Sequence, residues 1–171
     1  MLQLQAETPD DFTAIRQVVS EAFCQPQEAN LVETIRHSDN FIPALSLVAK
    51  QEGRVVGYLL FSAIAIVAET QVYRALALAP LAVQPKWQKQ GIGTRLLQYG
   101  LERCQNFDYP VVIVLGHPEF YSRFGFQTAS QFKIYPPFEV PDEAFRVREN
   151  QPGSLQFICG KVQYPRYFED V

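Results

Sequence analysis

The sequence predicts an α/β chain of the α+β kind, with a central mixed, mostly antiparallel sheet of about six or seven strands, flanked by helices and splayed at the strand before a glycine turn. Three observations predict it. Helical periodicity fills the region before residue 40, three long apolar runs separated by turn residues follow from Ala44 to Pro85, and an amphipathic segment opened by Gly91 and Gly93 leads into the apolar stretch Tyr109–Gly116. With 47% hydrophobic and 13% aromatic residues, a chain of 171 residues buries one sizeable core. It carries no internal repeat, charge run or linker, so residues 1–171 are read as a single domain.

Each element has a local reason. Residues 2–6 alternate as a short strand, and "TPDD" then offers Thr8 as N-cap, Pro9 at the first helical position and acids in the first turn. Phe12, Ile15, Val18, Val19 and Phe23 recur at helical spacing, and Pro26 interrupts that helix. A second helix over 27–37 has Leu31, Val32 and Ile35 as its apolar stripe. "ALSLVAK", "VVGYLLFSAIAIV" and "VYRALALAPLAVQP" read as an antiparallel meander, turned first at Gly53 and then at "AETQ". Pro80 lies inside the third strand and has no N–H for the ladder, so a bulge or splayed edge is expected there.

From Gly91 to Gln105, Ile92, Leu96, Leu97, Leu101 and Cys104 share one helical face, while Arg95, Gln98, Glu102 and Arg103 face water. "YPVVIVLG" is a buried strand. "HPEFYSRFGF" is a short helix started by Pro118 and ended by Gly125. "YPPFEVPDEAF" reads as a proline-broken loop and "SLQFICGKVQY" as one or two closing strands.

Charge and cysteine usage exclude several classes. A net charge of −3 offers no basic face for nucleic acid, no apolar run is long enough to span a bilayer, and the N-terminus lacks a signal-peptide succession. The chain therefore reads as cytoplasmic. Cys24, Cys104 and Cys159 are odd in number and scattered, so they are expected to be free thiols, mostly in the core, with no metal or redox motif.

The two glycines pose the functional question. A helix that starts abruptly after a strand presents unpaired N–H groups and the positive end of its dipole, and glycine lets a phosphate approach the backbone closely. A Walker P-loop needs a different spacing and a lysine after its second glycine. A dinucleotide fingerprint needs a third glycine where Leu96 stands, and it needs a βαβ unit in place of a meander. What remains from the residues alone is an anion cradle of another kind or a tight turn made for packing.

The wider string Gln88-x-x-Gly91-x-Gly93 resembles the acetyl-CoA signature [QR]-x-x-G-x-[GA] of the GNAT N-acetyltransferases, and "FYSRFGF", Phe120 to Phe126, resembles that family's Y-x-x-x-G-F element. The order of elements agrees over most of the chain, and the "GHPEFYSRFGF" and "VPDEAF" strings are similar to a bacterial branch of predicted acetyltransferases. The resemblance implies acetyl-CoA as cosubstrate and no metal. Backbone groups of Leu81 and Val83 would pair with the pantetheine arm, in an opening made where the Pro80 strand parts from Tyr109–Leu115. The N–H groups of Gln88, Lys89, Gln90, Gly91, Ile92, Gly93 and Thr94 would cradle the pyrophosphate, with Lys86 nearby. One departure is visible: many family members carry an asparagine near the cofactor at a position held here by Val114, and His117 is the alternative polar group, or simply the residue that starts the short helix.

Direct attack of a primary amine on the thioester needs an oxyanion donor, a proton for the thiolate and a base. Val83 N–H or Leu81 N–H is the candidate donor. Tyr121 is the candidate acid, because a phenol of pKa about 10 stays protonated at neutral pH and its ionisation would shape an alkaline limb. Glu28, Glu69, Asp142 and Glu143 are the acceptor-side carboxylates that the resemblance implies as base or substrate contacts. No cysteine has a recognisable histidine beside it, which argues against a covalent route. The expected partner is a small-molecule amine or a protein amine, with neither nucleic acid nor membrane and with a homodimer left open. The alternative reading is a catalytically idle module of the same fold that binds CoA or acyl-CoA.

Overall fold

The computed structural model describes residues 1–171. Nine strands form a mixed, mostly antiparallel sheet flanked by helices, more strands than the six or seven the sequence predicts. The chain divides into two compact units, the first comprising Met1–Ser62, Ala79–Arg103 and Arg166–Val171, the second Ala63–Leu78 and Cys104–Pro165.

In the first unit, β1 (Leu2–Ala6) pairs antiparallel with β2 (Phe41–Gln51), and β2 pairs antiparallel with β3 (Arg54–Val67). Helices α1 (Phe12–Phe23) and α2 (Gln27–Arg36) lie between β1 and β2 in sequence. The Asp11 carboxylate accepts bonds from the Thr8 N–H at 2.9 Å and the Thr8 hydroxyl at 3.2 Å, which fixes the chain where the first helical turn begins. Ile15, Val18 and Val19 of α1 and Leu31, Val32 and Ile35 of α2 pack with Val48, Tyr58 and Leu60 in one buried cluster. Phe23, expected on that stripe, is 38% exposed, because α1 ends there and Cys24 turns left-handed at φ 55°.

Helix α3 (Ile92–Cys104) covers the residues of β3 that alternate with Tyr58 and Leu60. A Cβ at Gly100 would come within 2.7 Å of Leu59 and Phe61, so this glycine exists to let the helix lie close. Burial on both faces explains why β3 reads as a nearly continuous apolar run.

In the second unit, β4 (Val72–Val83) runs parallel to β5 (Val111–Leu115) at Leu76↔Val112 and Ala77↔Ile113. β5 pairs along its full length with β8 (Phe145–Glu149), and β6 (Gln127–Thr128) lies on the other side of β8. β9 (Gly160–Gln163) joins Ala65–Val67 of β3 and the short β7 (Ile134–Tyr135).

The β8 strand corrects the sequence reading, which left residues 145–149 outside any strand; Arg146 and Arg148 hide its pattern. "SLQ" of the expected closing strand is instead a 3-10 turn, and Tyr135, assigned to the loop, closes β7. Of the three free thiols only Cys104 is buried, while Cys24 and Cys159 are exposed, which corrects the expectation of a mostly core placement. No helix is long and apolar enough to cross a membrane.

Candidate functional site

The glycine turn belongs to the first unit. β4 ends at Val83, and the Gln84 N–H donates to Val56 of β3 at 2.8 Å. Because backbone groups alternate along a strand, Leu81 and Val83 direct theirs away from β3. The Val83 carbonyl receives the side-chain amide of Gln88 at 2.9 Å, so the glutamine of the motif ties the turn back to the strand. The Ala79–Pro80 peptide is cis.

A 3-10 turn at Pro85–Trp87 follows, and then two left-handed residues, Lys89 at φ 63° and Gly91 at φ 83°. Such alternation turns successive N–H groups toward one side, the geometry of an anion-binding concavity. The first α3 ladder bond runs from Arg95 N–H to Gly91 C=O at 3.1 Å, so the N–H groups of Ile92 and Gly93 precede it.

The glycines differ in what demands them. At Gly91 a Cβ would meet nothing within 4 Å, but the backbone is left-handed. At Gly93 a Cβ would touch only the Val83 side chain, at 3.6 Å, an ordinary contact. Gly57 and Gly100 are confined by the chain's own side chains; Gly93 is not. Packing therefore leaves the small residue at 93 unexplained, and a ligand that approaches the backbone explains it.

Tyr121 sits in the second unit, on α4 (Pro118–Ser122). His117 starts this helix, its carbonyl accepting the N–H groups of Phe120 and Tyr121, each at 3.2 Å, with its side chain exposed. Val114 is buried in β5 opposite Arg146 and offers no polar contact. The Tyr121 ring packs edge-on to Phe120 and Phe126, with centroids 5.0 and 5.6 Å away. Gly116 makes room for it, since a Cβ there would overlap the ring. Only 9% of the residue is exposed, and burial pushes the phenol up to about 12, above the ordinary value assumed from sequence.

Two arginines of β8 hold this helix and its turn. Buried Arg146 donates to the Ser122 hydroxyl at 2.9 Å, the Phe126 carbonyl at 3.0 Å and the Glu143 carbonyl at 2.7 Å, and Arg148 donates to the Phe124 carbonyl at 2.7 Å. Burial lowers the Arg148 pKa. These residues escaped sequence reasoning, because a basic pair in a short strand looks like a solvated loop.

The acceptor-side carboxylates are dispersed. Glu28, in the first turn of α2, accepts both bonds of the Gln25 amide at 2.9 and 3.0 Å and belongs to the first unit. Glu69, Asp142 and Glu143 belong to the second, with Glu69 exposed in the β3–β4 connection and the other two adjacent on a 3-10 turn. The Asp142 carboxylate accepts the Ser130 hydroxyl at 2.9 Å. No group of three His, Cys, Asp or Glu side chains is gathered to hold a metal ion.

Known proteins share these features. The model of the acetyltransferase (GNAT) domain matches residues 43–128. The uncharacterized N-acetyltransferase YhbS of Escherichia coli is 32% identical over 165 residues, 96% of this chain and 97% of its own length, and YjhQ of the same bacterium is 39% identical over 134 residues, 78% and 74%. The crystal structure of E. coli YhbS in complex with CoA superposes with a TM-score of 0.90 at 30% identity, covering 98% of this chain and 92% of that one. A GNAT acetyltransferase from Brucella melitensis in complex with acetyl-CoA gives 0.78 at 26% identity, covering 98% of both. The matched span contains both the glycine turn and the helix of Tyr121, and the agreement in sequence and fold extends over nearly the whole chain: it belongs to the GNAT N-acetyltransferase family.

Proposed function

We propose that residues 1–171 form one acetyl-CoA-dependent N-acetyltransferase domain, working in the cytoplasm, that transfers acetyl to a primary amine by direct attack. The observation that carries this reading is the glycine turn, where two left-handed residues and an unconfined Gly93 precede the α3 ladder. CoA bound to YhbS and acetyl-CoA bound to the Brucella protein support the same cosubstrate here. Backbone groups of Leu81 and Val83 receive the pantetheine arm, and the segment Gln88, Lys89, Gln90, Gly91, Ile92, Gly93 and Thr94 receives the pyrophosphate.

In the transfer, the amine nitrogen forms the new C–N bond and loses its proton to a carboxylate or water. The C–S bond breaks, and the sulfur gains a proton. Oxyanion donors such as the Val83 N–H contribute about 3 kcal/mol each in comparable systems. Tyr121 serves the departing sulfur. Against a thiol of ordinary pKa, a phenol near 12 surrenders its proton uphill by roughly 5 kcal/mol, so Tyr121 acts first as a hydrogen-bond donor and the proton follows late.

Thermal-shift measurement tests the cofactor assignment: acetyl-CoA and CoA raise Tm, because a ligand bound only by the folded state stabilises it. A pantetheine fragment without the pyrophosphate gives a far smaller shift. Equal shifts from fragment and CoA would remove the phosphate cradle.

A further inference from the structure

The second unit holds a cavity of about 380 Å³ in the segment 130–145, a size typical of small-ligand pockets. Ile134 and Phe145, both buried, form its inner surface. Phe138 lines it while 44% exposed, yet its ring is held, edge-on to Phe145 at 6.4 Å and stacked on Tyr164 at 5.9 Å. Two exposed carboxylates, Glu139 and Asp142, also line it, and the Ser130 hydroxyl orients the second. The combination is an aromatic interior with negative charge at the mouth. Such a site favours a cation with an apolar body: the carboxylates attract the ammonium and the exposed ring face adds a cation–π contact.

The cavity is tied to the tyrosine helix. Ala144, next to the lining Phe145, accepts the Gly116 N–H at 2.9 Å, and Gly116 carries the Tyr121 ring.

We propose that this cavity is the acceptor pocket and that its ligand is a small primary ammonium with an aromatic-sized apolar body, an arylalkylamine. The proposal rests on the acetyltransferase reading for the use made of the ligand but not for its binding. Two carboxylates against an apolar interior disfavour a polycation, which needs an anion for each of its charges. Glu139 or Asp142 takes the ammonium proton, directly or through water, before the free amine attacks.

Phenylethylammonium is the probe, titrated by NMR into the CoA-loaded protein, with spermidine and uncharged phenylethanol as comparisons. We expect phenylethylammonium to bind more tightly than either. Glu139→Gln combined with Asp142→Asn, and separately Phe138→Ala, weaken it at least about tenfold while CoA affinity and Tm hold, because the altered side chains are exposed. No binding to the unaltered protein, or equal binding by all variants, overturns the proposal. If another amine is acetylated while the probe does not bind, the pocket assignment fails and the acetyltransferase reading stands. If the probe binds with this variant pattern and acetyl-CoA is never consumed, the pocket stands and the acetyltransferase reading fails.

Discussion

Substitution of Gly93 separates a ligand-made glycine from a packing-made one. A Cβ at this position has one neighbour, the Val83 side chain at 3.6 Å, so alanine fits without displacement. Alanine also exceeds glycine in helix propensity by up to about 1 kcal/mol, so Gly93→Ala raises Tm by at most about 2–4 °C. CoA binding survives in this variant, since the acetyl-CoA signature admits alanine here. Valine has a propensity within about 0.5 kcal/mol of glycine, so Gly93→Val leaves Tm within a few degrees. Its branched methyls, however, occupy the approach to the N–H groups ahead of the α3 ladder. Loss of one charge-assisted bond to phosphate costs about 1.5–3 kcal/mol, roughly a 10- to 100-fold weaker Kd. Calorimetric titration with CoA, paired with thermal melting of the same preparation, reads both quantities. A valine variant that binds CoA normally, or one that unfolds early while alanine does too, would refute the reasoning.

Gly100→Ala is the converse case: its Cβ meets Leu59 and Phe61 at 2.7 Å, so it destabilises by about 1–3 kcal/mol in thermal melts, with CoA affinity per folded molecule unchanged. Tyr121→Phe keeps the packed ring and lowers kcat by about 10²–10⁴ with CoA affinity intact, measured by steady-state turnover and titration. Because burial holds the phenol near 12, the unaltered enzyme shows no alkaline limb from Tyr121 below about pH 11, in contrast to the limb near 10 expected for an ordinary phenol. Stability is predicted to fall in alkali. Burial raises both the Cys104 thiol, from 9.0 to about 12, and the Tyr121 phenol, from 10.0 to about 12, so their contribution is full below the unfolded-state values and is lost as pH rises from 9 toward 12. A Tm that stays level from pH 8 to pH 11.5 would contradict that burial.

Most of the architecture was legible where the periodicity is long. The apolar stripes of α1, α2 and α3 and the continuous run of β3 specify their own elements, because each buries enough surface to impose a pattern. The failures fall on short segments. β8 pairs fully with β5, yet Arg146 and Arg148 disguise it, since their guanidinium groups satisfy carbonyls around α4 instead of facing water. β6 and β7, of two residues each, are fixed by neighbouring strands and have no local signature.

The candidate site divides in the same way. The Gln88, Gly91 and Gly93 spacing was readable because it is contiguous and demands special backbone. That Gln88 bonds the Val83 carbonyl, that Lys89 is left-handed and that Gly116 makes room for Tyr121 depend on tertiary geometry. Phe138 and Glu139 were hidden in a proline-broken loop, where no periodicity shows which side chains converge.

The central claim, transfer of acetyl from acetyl-CoA to an amine, is tested most directly by incubating the protein with acetyl-CoA and a pool of primary amines, arylalkylamines included. Free thiol and acetylated amine are quantified together by mass spectrometry. The account predicts amine-dependent thiol release matched mole for mole by one N-acetyl product, and greatly slowed in Tyr121→Phe. Tight CoA binding with no amine-dependent thiol release across the pool would contradict it and identify a CoA-binding module without transfer activity.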